Sequence, residues 1–128
     1  MSHSILIVDD DPQVRRFCGT ALEVPGYRVQ EASNGKEALA AVEKTSFDLI
    51  VLDLCMPDMD GFEFLKAVRV KFPELKIITM SGFMGGTLLP AAKRLGGTAT
   101  LVKPFSPDAL LSVVSELLAE PGPVQASD

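Results

Sequence analysis

Basic residues, cysteine and long apolar runs are all scarce in this sequence, and each scarcity removes a class of function. Twelve lysines and arginines face seventeen acids, for a formal net charge of -5 and a pI near 4.8. That balance repels phosphate backbones and argues against direct nucleic-acid binding. Cysteine is limited to Cys18 and Cys55, and the stretch from Met1 to Val8 is too short for a secretory apolar segment. A reduced, cytoplasmic setting is expected. No apolar run approaches membrane-spanning length, so no membrane partner is expected. Tandem repeats and low-complexity blocks are absent too. What remains is a 128-residue chain, 47% hydrophobic and 23% charged. It suits one domain over residues 1–120 with a proper core. The tail over 121–128 carries no apolar pattern and reads as disordered or a linker stub.

The organising stretch is FDLIVLDLCMPDMDG, from Phe47 to Gly61. Phe47 to Leu52 is a brief run rich in β-formers, as in a strand buried on both faces of a parallel sheet. It stops at Asp53, and Met56-Pro57 forbids its continuation. Asp60 and Glu63 have capping-box spacing, so a helix should start there. Asp53 is thereby placed on a strand end at the rim where open α/β sheets hold ligands.

Four further strand-plus-helix units surround that one. Ser4 to Val8 is a strand that runs into Asp9, Asp10 and Asp11. Asp11 reads as an N-cap, with Pro12 as the first helical residue. Val14, Phe17, Cys18, Ala21 and Leu22 form a helical stripe, with Cys18 as a small core residue. Gly19 within it weakens the helix and suggests close packing. Tyr27 to Ala32 alternates like a strand, and Asn34 with Glu37 opens the second helix. Phe62 to Phe72 carries the third helix, closed by Pro73. Leu75 to Met80 reads as the fourth strand, ending at Ser81-Gly82. Thr87 to Leu95 can form a short helix with Pro90 near its first turn. Thr98 to Val102 is the fifth strand, and Ser106-Pro107 caps the last helix.

Five such units in this length predict a doubly wound five-stranded parallel sheet with right-handed crossovers. The flavodoxin-like order 2-1-3-4-5 puts the ends of strands one and three beside the switch point. Asp9, Asp10 and Asp53 meet there. Crowded carboxylates repel one another, and a hard dication resolves the conflict; oxygen ligands with retained waters suit Mg²⁺. Lys103 ends strand five as a mobile point charge, and Ser81 ends strand four with a hydroxyl. Nucleophilic carboxylate, dication, ammonium and hydroxyl together suit a transferring phosphoryl group.

With these residues in place, the chain resembles the receiver domain of two-component response regulators, of the chemotaxis type, from Ser4 to about Glu120. ILIVDDDP, VLDLCMPDMDG, TMSG and LVKPF carry the resemblance as four ordered motifs. The resemblance implies that Asp53 is the phosphoacceptor and that Asp9 and Asp10 hold Mg²⁺ with Asp53 and the Cys55 carbonyl. It implies Ser81 as the switch hydroxyl, Lys103 as the site lysine, and a cis Lys103-Pro104 bond. A sensor histidine kinase would supply the phosphoryl group. The altered surface of helix four, strand five and helix five would be read by a downstream protein target. Alternatives are a phosphorelay intermediate serving a histidine phosphotransfer protein, or a receiver excised from a larger regulator or hybrid kinase. Enzyme status would be confined to self-phosphorylation and slow self-dephosphorylation. His3 should carry no phosphoryl group.

Two other classes fit less well. A haloacid-dehalogenase-like phosphatase wants an acid two residues after its nucleophile, where this chain has Cys55. A flavodoxin-like cofactor binder wants a phosphate-cradling loop where this chain has three acids. Asp48 and Asp58 read as solvated loop or strand-edge acids, not ligands, and Cys55 as a bystander thiol whose backbone matters. Leu110, Leu111, Val113, Val114, Leu117 and Leu118 exceed one helical face, which offers a candidate surface for a partner or a phosphorylation-dependent homodimer.

The family pattern is broken at Thr100, where many receivers carry an aromatic. Either Ser81 and the glycine-rich loop switch alone, the version favoured here, or Phe83 takes the packing role. Cys55 and Phe83 occupy positions that in the family often bear groups acting on attacking water. Neither is a strong hydrogen-bond partner, so slow loss of the phosphoryl group is expected. The Cys55→Asn, Phe83→Glu double variant should shorten the phosphorylated lifetime measured by intact mass against time. A lengthened lifetime would overturn this expectation.

Overall fold

The computed structural model describes residues 3–56, 61–82 and 85–119. The first unit is β1 (Ser4–Val8) with α1 (Pro12–Glu23), and the second is β2 (Arg28–Ala32) with α2 (Gly35–Lys44). Then come β3 (Leu49–Asp53) with α3 (Gly61–Lys71), β4 (Lys76–Ser81) with α4 (Leu89–Arg94), and β5 (Ala99–Val102) with α5 (Pro107–Ala119). Neighbouring strands pair in parallel in the order β2-β1-β3-β4-β5, which is the arrangement the sequence predicts.

Period-two alternation in the strands divides the core between two faces. Leu6, Val8, Ile50, Leu52 and Ile77 face α2, α3 and α4, and meet Ala38, Val42, Phe64, Leu65, Val68 and Ala92. Ile5, Ile7, Leu49, Val51, Ile78 and Met80 face α1 and α5, against Cys18, Leu22, Leu110 and Val114. All five residues of β3 are buried. Each fully buried aliphatic side chain contributes about 2 kcal/mol, so the central strands dominate stability and hold Asp53 rigidly.

Local signals set most boundaries. Asp11 accepts from the Gln13 amide, with Pro12 at the first helical position. Asn34 accepts from the Glu37 amide, while the Glu37 carboxylate bonds the amide and hydroxyl of Ser33, one residue earlier than a capping box requires. The Ser106 hydroxyl accepts from the Ala109 amide and caps α5. The Lys103-Pro104 bond is cis. Among the described residues, no helix is long and apolar enough to cross a membrane. The expected Asp60 cap, Pro57, Asp58, Phe83 and the tail over 121–128 lie outside the described residues.

Several expectations shift. β3 begins at Leu49, not Phe47; Asp48 instead exchanges bonds with Ser4, its amide donating to the Ser4 carbonyl and its carboxylate accepting from the Ser4 amide at 2.8 Å. Asp48 is therefore a strand-edge acid tied to β1, within the range expected for it. α4 covers only six residues because its N-terminus at Leu88 has no side-chain cap and Gly96, at φ +120°, turns the chain immediately after it. On α5 only Leu110 and Val114 are buried.

Gly19 is less tightly packed than its sequence position suggests. A Cβ there would lie 3.7 Å from Glu31 and 3.8 Å from Val29, ordinary contact distances. Gly61 is the opposite case. A Cβ there would fall 2.4 Å from the Asp53 carbonyl oxygen and 2.4 Å from Leu54 Cα, while its amide donates to the Leu54 carbonyl. The start of α3 thus lies directly against the chain leaving Asp53. Opposite effects are expected from one substitution. Gly19→Ala should stabilise by about 0.5–1 kcal/mol, whereas Gly61→Ala should destabilise by more than about 2 kcal/mol, both read from urea unfolding midpoints.

Candidate functional site

Parallel strands deliver their carboxyl ends to one rim, and five of the six residues singled out in the sequence come from strand ends or from one or two residues beyond. Asp9 and Asp10 follow β1, Asp53 closes β3, Ser81 closes β4 and Lys103 follows β5. The register sets them in order. Val8 lies opposite Leu52, Asp53 opposite Met80, and Ser81 opposite Val102. Carboxylate oxygens of Asp9, Asp10 and Asp53 lie within 4.8 Å of one another.

Burial separates their roles. Asp9 and Ser81 are inaccessible or nearly so, Asp53 is 5% exposed, and Asp10 is open to solvent. The Lys103 ammonium lies 2.7 Å from Asp9 Oδ2 and 3.4 Å from Asp53 Oδ1, so one cation serves two buried anions. Asp9 Oδ1 accepts from the Asp11 amide at 2.9 Å. The Asp53 carboxylate accepts from the Cys55 amide, which gives the Cys55 backbone a place at the site while its side chain is exposed. Ser81 is tied to β5 by its carbonyl, which accepts from the Lys103 amide at 3.0 Å.

The electrostatics follow from this crowding. Loss of hydration, with the Asp9 charge adding to it, raises the Asp53 pKa from 3.8 to about 6, against the opposing pull of Lys103 and the Cys55 amide. For Lys103, burial works against the charge, yet its bond to Asp9 and the two nearby carboxylates outweigh burial and hold its pKa above the ordinary value. Burial foremost, then the Asp9 charge, drives the Cys18 thiol to about 12, which leaves it an inert core group.

Two residues missed in the sequence also reach this rim. Arg15 Nη1 donates to the Asp9 carbonyl at 2.7 Å, and its Nε donates to Glu31 Oε1 at 3.0 Å. Neither carries a motif; only the position of Arg15 one turn beyond the Asp11 cap hinted that it could reach back. Phe17, read as part of the buried stripe, is 39% exposed and meets Phe105 edge-on at 6.0 Å. Thr100 lies opposite Thr79, whose hydroxyl donates to the Ala99 carbonyl at 3.3 Å.

A doubly wound, flavodoxin-like α/β domain with acids and a lysine at its switch point is the class that fold and site define. The chain belongs to the response regulator receiver domain family, whose pattern it matches over residues 5–115. It is 34% identical over 118 residues to sporulation initiation phosphotransferase F of Bacillus subtilis, covering 92% of this chain and 95% of that protein. It is 38% identical to part of the sensor kinase CckA of Brucella abortus, covering 91% of this chain and 13% of the kinase. The solved chemotaxis response regulator CheY4 of Vibrio cholerae superposes with a TM-score of 0.85 at 36% identity, covering 91% of this chain and 99% of that one. Receiver domains bind Mg²⁺ at an acidic pocket and partner with sensor histidine kinases.

The raised Asp53 pKa carries a stability consequence with a definite sign. Between pH 3.8 and about 6 the folded protein retains a proton that the unfolded chain has released, so metal-free stability falls as pH rises through that window. Asp53→Asn has no such proton. In chelator-containing buffer its stability advantage over the parent should grow from about pH 4 to about pH 6, then level off at on the order of 1–2 kcal/mol. Urea unfolding across pH measures it, and a pH-independent difference would contradict it.

Proposed function

We propose that the chain is a phosphoryl-accepting switch of a two-component system, with Asp53 as the acceptor. The observation that carries this reading is the buried Asp53 carboxylate, 3.4 Å from the Lys103 ammonium and clustered with Asp9 and Asp10. An Asp53 oxygen attacks the phosphorus of a kinase phosphohistidine in line. The O–P bond forms as the N–P bond breaks, and the departing imidazole keeps the electron pair and takes up a proton. Lys103 neutralises charge on the transferring oxygens. Its closer contact with Asp9 keeps the ammonium at the rim before the phosphoryl group arrives.

Three convergent carboxylates, one of them open to solvent, fit a hard, partly hydrated dication. Asp9, Asp10 and Asp53, with the Cys55 carbonyl, would hold Mg²⁺, and when bound it supplies charge compensation for the phosphoryl oxygens. Ser81 then donates its hydroxyl to a phosphoryl oxygen, and the movement passes through the glycine-rich loop to the α4-β5-α5 surface. Thr100 leaves no aromatic at the usual toggle position, which favours this loop-driven route. The setting is cytoplasmic, the donor a sensor histidine kinase, and the reader a downstream protein or a second copy of this chain. Similarity to sporulation initiation phosphotransferase F favours a second reading, in which the group passes on to a histidine phosphotransfer protein.

Incubation with acetyl phosphate and Mg²⁺, read by intact mass, tests the acceptor. The parent should gain one phosphoryl group and Asp53→Ala none. Equal gain by both would exclude Asp53.

A further inference from the structure

Every polar backbone and side-chain atom of Asp9 is held. Its amide donates to the Ala32 carbonyl of β2 at 3.2 Å. Its Oδ1 accepts from the Asp11 amide and its Oδ2 from Lys103. The remaining atom, its carbonyl oxygen, accepts from Arg15 Nη1 at 2.7 Å. That last bond has a consequence for the next residue. The Asp9 carbonyl and the Asp10 amide share one planar peptide unit, so fixing the carbonyl direction fixes where the Asp10 Cα stands. Asp10 itself is exposed, and burial does not immobilise its side chain as it does that of Asp9.

Arg15 is suited to this task by both its position and its shape. It lies in the first turns of α1, where its amide donates to the Asp11 carbonyl at 3.1 Å. The side chain, only 17% exposed, turns back over the end of β1. Its Nε is engaged by Glu31 of β2 while Nη1 takes the carbonyl. A planar fork can make both bonds at a fixed angle, which an ammonium cannot do. One guanidinium thus braces β1, α1 and β2 at the point where the acids emerge.

We infer that Arg15 is a positioning residue for the acidic site, orienting the Asp9-Asp10 peptide so that the Asp10 carboxylate converges with those of Asp9 and Asp53. The inference rests on the proposed Mg²⁺ site. Its electrostatic and geometric effects oppose each other, which makes it testable by sign. Arg15 is a cation close to a cation site, so removing its charge alone would tighten Mg²⁺ binding. Removing the brace would weaken it, and loss of an outer partner of a metal ligand lowers affinity by about 10-fold or more.

The test is calorimetric titration of the unphosphorylated full chain with MgCl₂, for the parent, Arg15→Ala, Arg15→Lys and Asp10→Asn. Unfolding midpoints are recorded for each to identify the folded samples. Arg15→Ala should weaken binding by about 10-fold. Arg15→Lys, which keeps the charge without the fork, should be weakened too, though less. In the parent and Arg15→Ala, the Asp10 amide ¹⁵N resonance should differ before any Mg²⁺ is added, because the carbonyl of the same peptide loses its donor. Unchanged or tighter Mg²⁺ binding in a folded Arg15→Ala sample, with the Asp10 resonance in place, would overturn the inference. If Arg15→Ala does not fold, parental affinity in Arg15→Lys would overturn it instead. No binding by the parent, or parental binding by Asp10→Asn, would sink the Mg²⁺ site itself, a distinct failure.

Discussion

A single ammonium compensates two carboxylates that have been taken out of water. Asp9 is inaccessible and Asp53 nearly so, and two buried like charges at close range are unfavourable unless a counter-charge reaches both. Lys103 does so, at 2.7 and 3.4 Å. The compensation is incomplete: Asp53 still holds its proton up to about pH 6. The site therefore has residual negative charge and repulsion, the condition under which a dication is drawn in.

The sheet makes this arrangement sustainable. Two apolar layers clamp the central strands, so strand ends cannot retreat from one another to relieve the repulsion. Gly61 brings α3 against the backbone at Asp53 more closely than any side chain would allow. Arg15 and Glu31 tie the neighbouring edge. Strain between like charges is thus confined to a rim whose backbone is held from below. The elements beyond β4 are built otherwise. α4 is short and has no side-chain cap, and Gly85 and Gly86 stand at positive φ before it. The stiff half of the rim holds the anions, and the loosely capped half lies next to Ser81.

Element order, strand order and the placement of five of the six candidate site residues at one rim were legible in the chain because each rests on local or periodic signals. Apolar runs ending in acids mark strands that stop at a rim, and Asp11-Pro12, Asn34 and Ser106-Pro107 mark helix starts. Cys55 entered only through resemblance, and for its carbonyl; the bond from its amide to the Asp53 carboxylate was not foreseen, since nothing about a thiol announces it. Boundaries slipped where side chains replaced backbone pairing, as at Asp48, or where a cap was lacking, as at Leu88.

What the sequence by itself determined is therefore the inventory and its order along the chain: which strands exist, and which charged groups end them. Only the tertiary structure decided how far each charge is buried, that Lys103 lies nearer Asp9 than Asp53, and that Arg15 grips the Asp9 carbonyl. It also decided that Gly61 is obligatory while Gly19 is not. The reason is physical. Periodicity and capping act over a few residues and are written locally, whereas desolvation and charge compensation depend on distances between segments as far apart as Asp9 and Lys103. Those distances come into being only when the sheet closes.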